Sequence, residues 1–434
     1  MKHHPRLSNE PLRSSSEEDA AQHRIAMRMS PSPTATTRRQ FLARSTGLVA
    51  LAAIQSRAAE VVVGSRQPFR AAIIGHTGHG NYGHAHDLIF NGRDDISVVA
   101  VADADAAGRD QAAARSHALR SYADYRQMLE KEKPNLVCIA SRWTDEHHAM
   151  ALAALQVGAH LYVEKPFTQT LAEADVLLEV AGRAGLKIVV AHQMRLAPNI
   201  LALKTAIDNG LLGELLEMRS HGKQDHRAGG EDLLVLGVHL FDLMRFFAGD
   251  PLWCAARISR GGHEITLKDA HKATEGIGPV AGDDIVAEFA FAGGIQATFV
   301  SRAKYRASAG PWGMELIGSK GSVRIQMELV PRIYTLCEGT RAAEGKTDQW
   351  RLWAEDPTLR WSESERNTER ANVRVVNDWL TAIRLDRQPV CSGYAGMKAV
   401  EMAMALFAAG LARGRVDFPL KNRQHPLRAK SASG

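Results

Sequence analysis

A chain of 434 residues is longer than one ordinary domain needs, and at 45% hydrophobic and 24% charged residues its composition excludes a wholly disordered protein. Its formal charge of +6 is concentrated in residues 1–58, which hold nine Lys/Arg and four Asp/Glu; the remainder keeps 45 basic and 44 acidic residues, too even a balance to ask for nucleic acid. Four widely spaced cysteines, Cys138, Cys254, Cys337 and Cys391, form no CxxC pair, which argues against a disulfide framework or a thiolate zinc site.

The leader comes first in chain order. Residues 1–36 are polar and read as disordered. Residues 37–59, TRRQFLARSTGLVALAAIQSRAA, place Arg38 and Arg39 before Phe41-Leu42, an apolar run from Thr46 to Ile54, and small residues at Ser56, Ala58 and Ala59. The order resembles a twin-arginine export signal, and the run is too short and Ala-rich to span a bilayer comfortably. The resemblance implies passage through the twin-arginine export machinery and work in the periplasm or another space outside the cytoplasm, either free or, if the signal is retained, anchored to a membrane. The alternative is a disordered basic tail.

FRAAIIG (69–75) is an apolar run ending in glycine and suits a buried parallel strand. Gly75, Gly78, Gly80 and Gly83 follow, the last three spaced as GxGxxG, and HAHDLIFNG can then open a helix. ISVVAVAD (96–103) reads as a second strand ending in Asp103, twenty residues after Gly83. Strand, glycine turn, helix, strand and acid make a dinucleotide-binding unit: glycines let the backbone approach a pyrophosphate, and the acid accepts hydrogen bonds from ribose hydroxyls. A carboxylate there repels a 2′-phosphate, so NAD is favoured over NADP. His76, His79, His84 and His86 also invite a metal reading. A metal needs side chains converging at about 2 Å from one ion, whereas a loop wrapped on a pyrophosphate points them apart, so no metal is expected.

The alternation continues through NLVCIAS (135–141), where Cys138 reads as core, HLYVEKP (160–166) and LKIVVAH (186–192), separated by helical stretches. This predicts a parallel sheet with ligands at the carboxyl ends of its strands. Two strands deliver polar groups there: Ser141, Arg142 and Trp143 after one, Glu164, Lys165 and Pro166 after the other. The second half holds strand-like runs at 215–221, 252–259, 284–291, 295–301, 314–318 and 322–327, with helices at 233–248, 371–386 and 394–413. The expected partition is a leader (1–58), a Rossmann NAD-binding domain (68–192), a C-terminal α/β domain with an open, largely antiparallel sheet (193–421) and a tail (422–434).

YVEKPFTQTLAEA, QMRLAP (193–198), GVHLFDLMRFFAGDP (237–251), ELIGSKGSVRI (315–325) and the closing FPL (418–420), in that order behind the glycine loop, resemble the Gfo/Idh/MocA family of oxidoreductases. The resemblance covers about residues 69–420 and implies NAD chemistry on a sugar, polyol or related hydroxyl, with self-association through the open sheet. It places Lys165 beside the nicotinamide as a proton-handling group, and a lysine in a desolvated cleft suits that role. The family's second motif, Asp-x-Gly-x-His, is matched at Gly237 and His239, but the acid's position holds Val235. Glu231, Asp232 or Asp242 are candidates to replace that acid, Asp232 also as a helix cap and Asp242 subject to capture by Arg245. Arg195, Lys223, Asp225, His226 and Trp312 are further cleft candidates, Trp312 as a stacking surface for a sugar ring. Two alternatives stay open: an enzyme that keeps NAD bound through a closed redox cycle, cleaving or epimerising a glycoside, and a non-catalytic sugar- or nucleotide-binding relative.

Overall fold

The computed structural model describes residues 67–305, 312–337, 349–353 and 367–428. The leader, and most of the Trp- and charge-rich stretch 338–369, lie outside the described residues.

Six short strands, β1 (Phe69–Ile74), β2 (Ile96–Ala102), β3 (Arg120–Tyr122), β4 (Leu136–Ile139), β5 (His160–Val163) and β6 (Ile188–Val190), form a parallel sheet in the order β3-β2-β1-β4-β5-β6. The apolar runs of β4, β5 and β6 are buried on both faces, as strands flanked by helices require. The crossover helices begin at polar caps: Asp105 accepts from the Gly108 amide, and Thr170 forms a reciprocal capping box with Glu173. Strand order reverses between β1 and β4, which opens a crevice at their carboxyl ends. One expected element is missing. HAHDLIFNG makes only a 3-10 turn at His86–Leu88, because Ala85 (φ 58°) and Gly92 (φ 70°) take left-handed conformations on either side.

The second sheet is built from β7 (Leu215–His221), β8 (Trp253–Arg260), β9 (His263–Glu264), β12 (Asp284–Ala290), β13 (Gln296–Arg302), β14 (Gly313–Gly318), β15 (Gly321–Gln326), β16 (Arg332–Cys337), β17 (Arg351–Leu352) and β18 (Val416–Asp417), with a separate ribbon of β10 (His271–Lys272) and β11 (Pro279–Val280). All its pairs are antiparallel except β13 with β7. Residues of β12 and β13 alternate buried and half-buried, so one face carries the core. On that face Phe241, from the helix Val238–Ala248, meets Phe289 at 5.6 Å and Phe299 at 5.0 Å. Each such buried ring contributes roughly 1.5–3 kcal/mol.

Two segments depart from a division of the chain at residue 192. The helix Thr368–Arg384 returns to the first sheet, where Val375, Val376, Trp379 and Leu380 share a core with Ala71, Ile73 and Tyr162. The expected tail is also packed as far as the described chain runs: Arg423 pairs with Asp175 and Glu401, and His425 and Leu427 are buried.

Candidate active site

The glycine loop curls back on itself through a bridge between His76 and Asn81. Three of its glycines serve close approach within the protein. A Cβ on Gly75 would stand 2.2 Å from the Tyr82 ring, one on Gly80 2.5 Å from Ser141 Oγ, and one on Gly83 2.5 Å from the Ala140 carbonyl. Gly78 (φ +80°) differs, because open space lies where its Cβ would be. The backbone there is accessible to a large polyanion, so the loop fits a dinucleotide. Asp103, buried at the end of β2, accepts from the Thr77 amide (3.0 Å), Thr77 Oγ1 (2.7 Å) and the Asp105 amide (3.0 Å). It therefore braces the loop. Arg109, six residues on, donates to the Asp103 carbonyl at 2.8 Å, a neighbour that the sequence alone did not reveal.

The expectation that the loop spreads its histidines apart needs correcting. The curl brings His76 and His79 onto one side, where His76 Nδ1 lies 2.5 Å from Glu146 and His79 Nε2 lies 2.8 Å from Asp145. One possible ligand atom each from His76, His79 and Glu146 fall within 4.8 Å of one another. Each imidazole nevertheless has its own carboxylate neighbour, Glu146 for His76 and Asp145 for His79. His84 and His86 turn the other way, 3.2 and 2.9 Å from the fully buried Glu164. Burial raises the Glu164 carboxyl, but these two histidines outweigh it and hold the group well below the usual carboxylate range.

Ser141 donates to the His79 carbonyl at 2.7 Å, and the Trp143 ring meets His79 edge-on at 4.2 Å, so both border the loop. On the next strand's loop Lys165 is 5% exposed, with Nζ 4.0 Å from Glu164 and donating at 3.0 Å to the Val235 carbonyl. Burial lowers its ammonium, against the pull of Glu164 and Glu275. The Val235 contact has a local cause. Residues Leu233–Gly237 form a π turn inside an otherwise helical stretch, and the widened turn lets a carbonyl point out of the helix ladder. Val235 thus meets Lys165 with its backbone, where the family motif would present an acid.

His239, one turn beyond, is 7% exposed, and its Nδ1 has no partner among the described residues. Burial, aided by Lys165, His192 and His84, holds its imidazole well below the ordinary value. Its ring lies 6.0 Å from Trp312, whose buried Nε1 is also unpartnered, and 5.6 Å from His192. Sequence reasoning missed His192. The available signal was its position: it ends the β6 run as Lys165 follows β5, at the same edge of the sheet.

None of the three candidate acids is hydrogen-bonded to His239. Asp242 is gripped by Arg195, which reaches its two oxygens at 2.8 and 2.7 Å, while Arg245 pairs with Asp250 instead. Arg195 is therefore a buried ion-pair partner, not a free substrate group. Glu231 accepts from the Thr274 and Glu275 amides at 3.1 and 3.3 Å. Asp232 does not cap its own helix; it accepts from Ser301 Oγ (2.7 Å) and the Gln224 amide (3.2 Å), and burial raises its carboxyl to about 6. Asp225 is paired with Arg227 at 2.7 Å, and this outweighs burial to hold it at about 2. Lys223 and His226 flank Asp225 at 3.7 and 3.8 Å.

A family model described as the oxidoreductase family with an NAD-binding Rossmann fold matches residues 69–192, and the GFO/IDH/MocA C-terminal domain matches residues 200–324. The chain belongs to the Gfo/Idh/MocA oxidoreductase family. It is 26% identical over 378 residues to the D-apiose dehydrogenase of Paraburkholderia graminis, covering 84% of this chain and 94% of that protein. The match to the myo-inositol 2-dehydrogenase of Thermotoga maritima is 24% over 186 residues, covering 41% of this chain and 55% of that protein. Among solved structures, levoglucosan dehydrogenase in complex with NADH and levoglucosan aligns at a TM-score of 0.66 and 19% identity, over 82% of this chain and all of that one. At that identity the likeness bears on the fold alone, which is the expected pair of a Rossmann domain and an α/β domain with an open, largely antiparallel sheet. The protein is an NAD-dependent oxidoreductase of this family.

Proposed function

We propose that the chain oxidises a hydroxyl of a sugar or polyol in the cleft between the EKP segment and His239. One observation carries this reading: His192, His239 and Trp312 present buried, unpartnered ring nitrogens near Lys165, a lining suited to a small ligand rich in hydroxyls. The names of the relatives support the substrate class. Bound NAD supplies the hydride acceptor. Gly75, Gly78, Gly80 and Gly83 form its loop, Asp103 receives the ribose, and Ser141, Trp143, Glu164 and Lys165 border the nicotinamide side. Lys165, disfavoured as an ammonium, orients the reacting hydroxyl, and the neutral imidazole of His239 is available for its proton. Trp312 lies against the sugar ring. Asp225, Glu231, Asp242 and Arg195 hold the walls through the pairs described above.

The test is a panel of D-apiose, myo-inositol, levoglucosan and simple glucosides with NAD, followed by NADH absorbance and by product analysis. Saturable NADH formation that is lost in Lys165→Met supports the reading. Conversion of sugar without net NADH marks the closed redox cycle. Conversion of none of them contradicts the proposal.

We further read Arg38-Arg39 and the apolar run as an export address for a folded, cofactor-loaded enzyme. Arg38→Lys together with Arg39→Lys is expected to hold the protein in the cytoplasm on fractionation. Self-association through the open sheet face is the expected assembly, and light scattering of the purified protein tests it.

A further inference from the structure

We propose that His192 is a second catalytic histidine of the cleft, acting with His239 on the reacting hydroxyl in place of the acid that Val235 has displaced. The proposal rests on the dehydrogenase reading above and adds a named residue to it.

Four observations converge. His192 is 2% exposed, yet neither ring nitrogen has a hydrogen-bond partner among the described residues. His239, 5.6 Å away and edge-on at 74°, leaves its own Nδ1 unpartnered. A buried polar atom without a partner costs about 1–3 kcal/mol, so three in one pair of rings need an explanation, and a hydroxylated ligand supplies it. The third observation is the anion behind the pair. His192 Nδ1 lies 3.6 Å from Asp242 Oδ1, and Arg195 fixes that carboxylate. The fourth is Val235, which offers Lys165 a carbonyl and offers His239 no acid.

The arrangement replaces an acid one turn before His239 with an acid reached through a second imidazole. As the substrate carbon is oxidised, the O–H bond of the reacting hydroxyl breaks. Its electron pair stays on oxygen to form the carbonyl as the C–H bond of the same carbon breaks and its pair leaves as hydride. The proton makes a new N–H bond on one of the two imidazoles, and on His192 the resulting cation lies beside Asp242. The hydride acceptor is the NAD that the family binds. The charged groups acting on His192 are Asp242 and Glu164, which favour its protonation, and Arg195 and Lys165, which oppose it. On His239 they are Lys165, His192 and His84, which oppose protonation, and Glu164, which favours it. Burial keeps both rings neutral as proton acceptors, and a proton on His192 disfavours one on His239.

The experiment compares the full-length wild type with His192→Ala and the better-filling His192→Gln. NAD affinity is followed by Trp fluorescence, kcat/KM by NADH formation over a pH series with the best sugar of the panel, and histidine ring titration by 15N NMR. The expected result is unchanged NAD affinity and a loss of kcat/KM on the order of 10²–10⁴-fold in both variants. The acid limb should change shape, and the His239 titration should move upward once the neighbouring ring that opposes its protonation is gone. Variants that keep kcat/KM within about threefold and the wild-type pH profile, or a His239 titration that stays in place, would overturn the role of His192 alone. A wild type that turns over no sugar overturns the dehydrogenase reading instead, so the two failures are distinct.

Discussion

Replacing Glu164 by Gln removes a buried charge from between Lys165 and two histidines. Lys165 Nζ is 4.0 Å from Glu164 Oε1, and both groups are buried. At an effective permittivity of about 20, unit charges at that separation attract by ~4 kcal/mol, equivalent to about three pKa units. That attraction favours the ammonium, so its loss lowers the Lys165 titration further, in the same direction as burial already does. Some of the field is recovered by relaxation and by Glu275, so the acid limb of kcat/KM is expected to fall by about one to three pH units. His84 and His86 lose their anion in the same step. The folded protein should therefore also be less stable by about 1–3 kcal/mol, read from urea unfolding at neutral pH. The assay is the pH dependence of kcat/KM for wild type and Glu164→Gln on one sugar. A limb within a few tenths of a unit of the wild type would refute the electrostatic link from Glu164 to Lys165.

Three further outcomes follow from the same geometry. Arg195→Lys keeps a charge but loses the two-point grip on Asp242, so a buried carboxylate is left half-paired; urea unfolding should show a loss of about 2–4 kcal/mol, and an unchanged midpoint would contradict a structural role. Gly80→Ala drives a Cβ into Ser141 and the amides of Arg142 and Trp143 and should lower stability in urea more than Gly78→Ala, whose Cβ meets no protein atom but enters the space left open for the dinucleotide and should weaken NAD binding on titration calorimetry. Burial lowers His160 to about 4 and His425 to about 3, against an ordinary 6.5. The folded state leaves these rings neutral while the unfolded chain takes up protons. Stability is then lost as pH falls from 6.5 through about 4 and 3, with Asp232 working oppositely between its raised value of about 6 and its ordinary 3.8. A thermal midpoint that is flat or rising from pH 6.5 to 4 contradicts this.

Much of the fold was readable because the pattern carries its own partner. A run such as LVCI, apolar at every position, has to be covered on both faces, and β12 and β13 alternate as a one-sided sheet must. The helix Thr368–Arg384 shows why reading in chain order falls short. Its apolar residues Val375, Val376, Trp379 and Leu380 announce a buried stripe, but nothing local says that the stripe covers a sheet formed some 300 residues earlier. The glycine loop is a similar case. Its spacing announced close backbone approach, yet Gly80 and Gly83 spend that freedom on the neighbouring strand ends, leaving Gly78 as the open position.

The candidate site divides along the same line. Lys165 and His239 were legible because EKP and Gly-x-His are local patterns. The fate of the acids was not, because each is decided by a partner distant in sequence: Arg195 claims Asp242, Thr274 and Glu275 claim Glu231, and Ser301 with Gln224 claims Asp232. The π turn at Leu233–Gly237 is equally invisible in composition, since LLVLG reads as ordinary apolar helix. Its consequence is chemical, because it gives Lys165 a carbonyl where the motif would supply a carboxylate.

The central claim is that the glycine loop holds NAD for chemistry at Lys165. The most direct measurement is to purify the full chain without added nucleotide, denature it, and identify by mass and absorbance whatever is released, with NAD titration of the undenatured protein in parallel. The account predicts NAD, either released in stoichiometric amount or bound saturably on titration. No released nucleotide together with no binding on titration would contradict it.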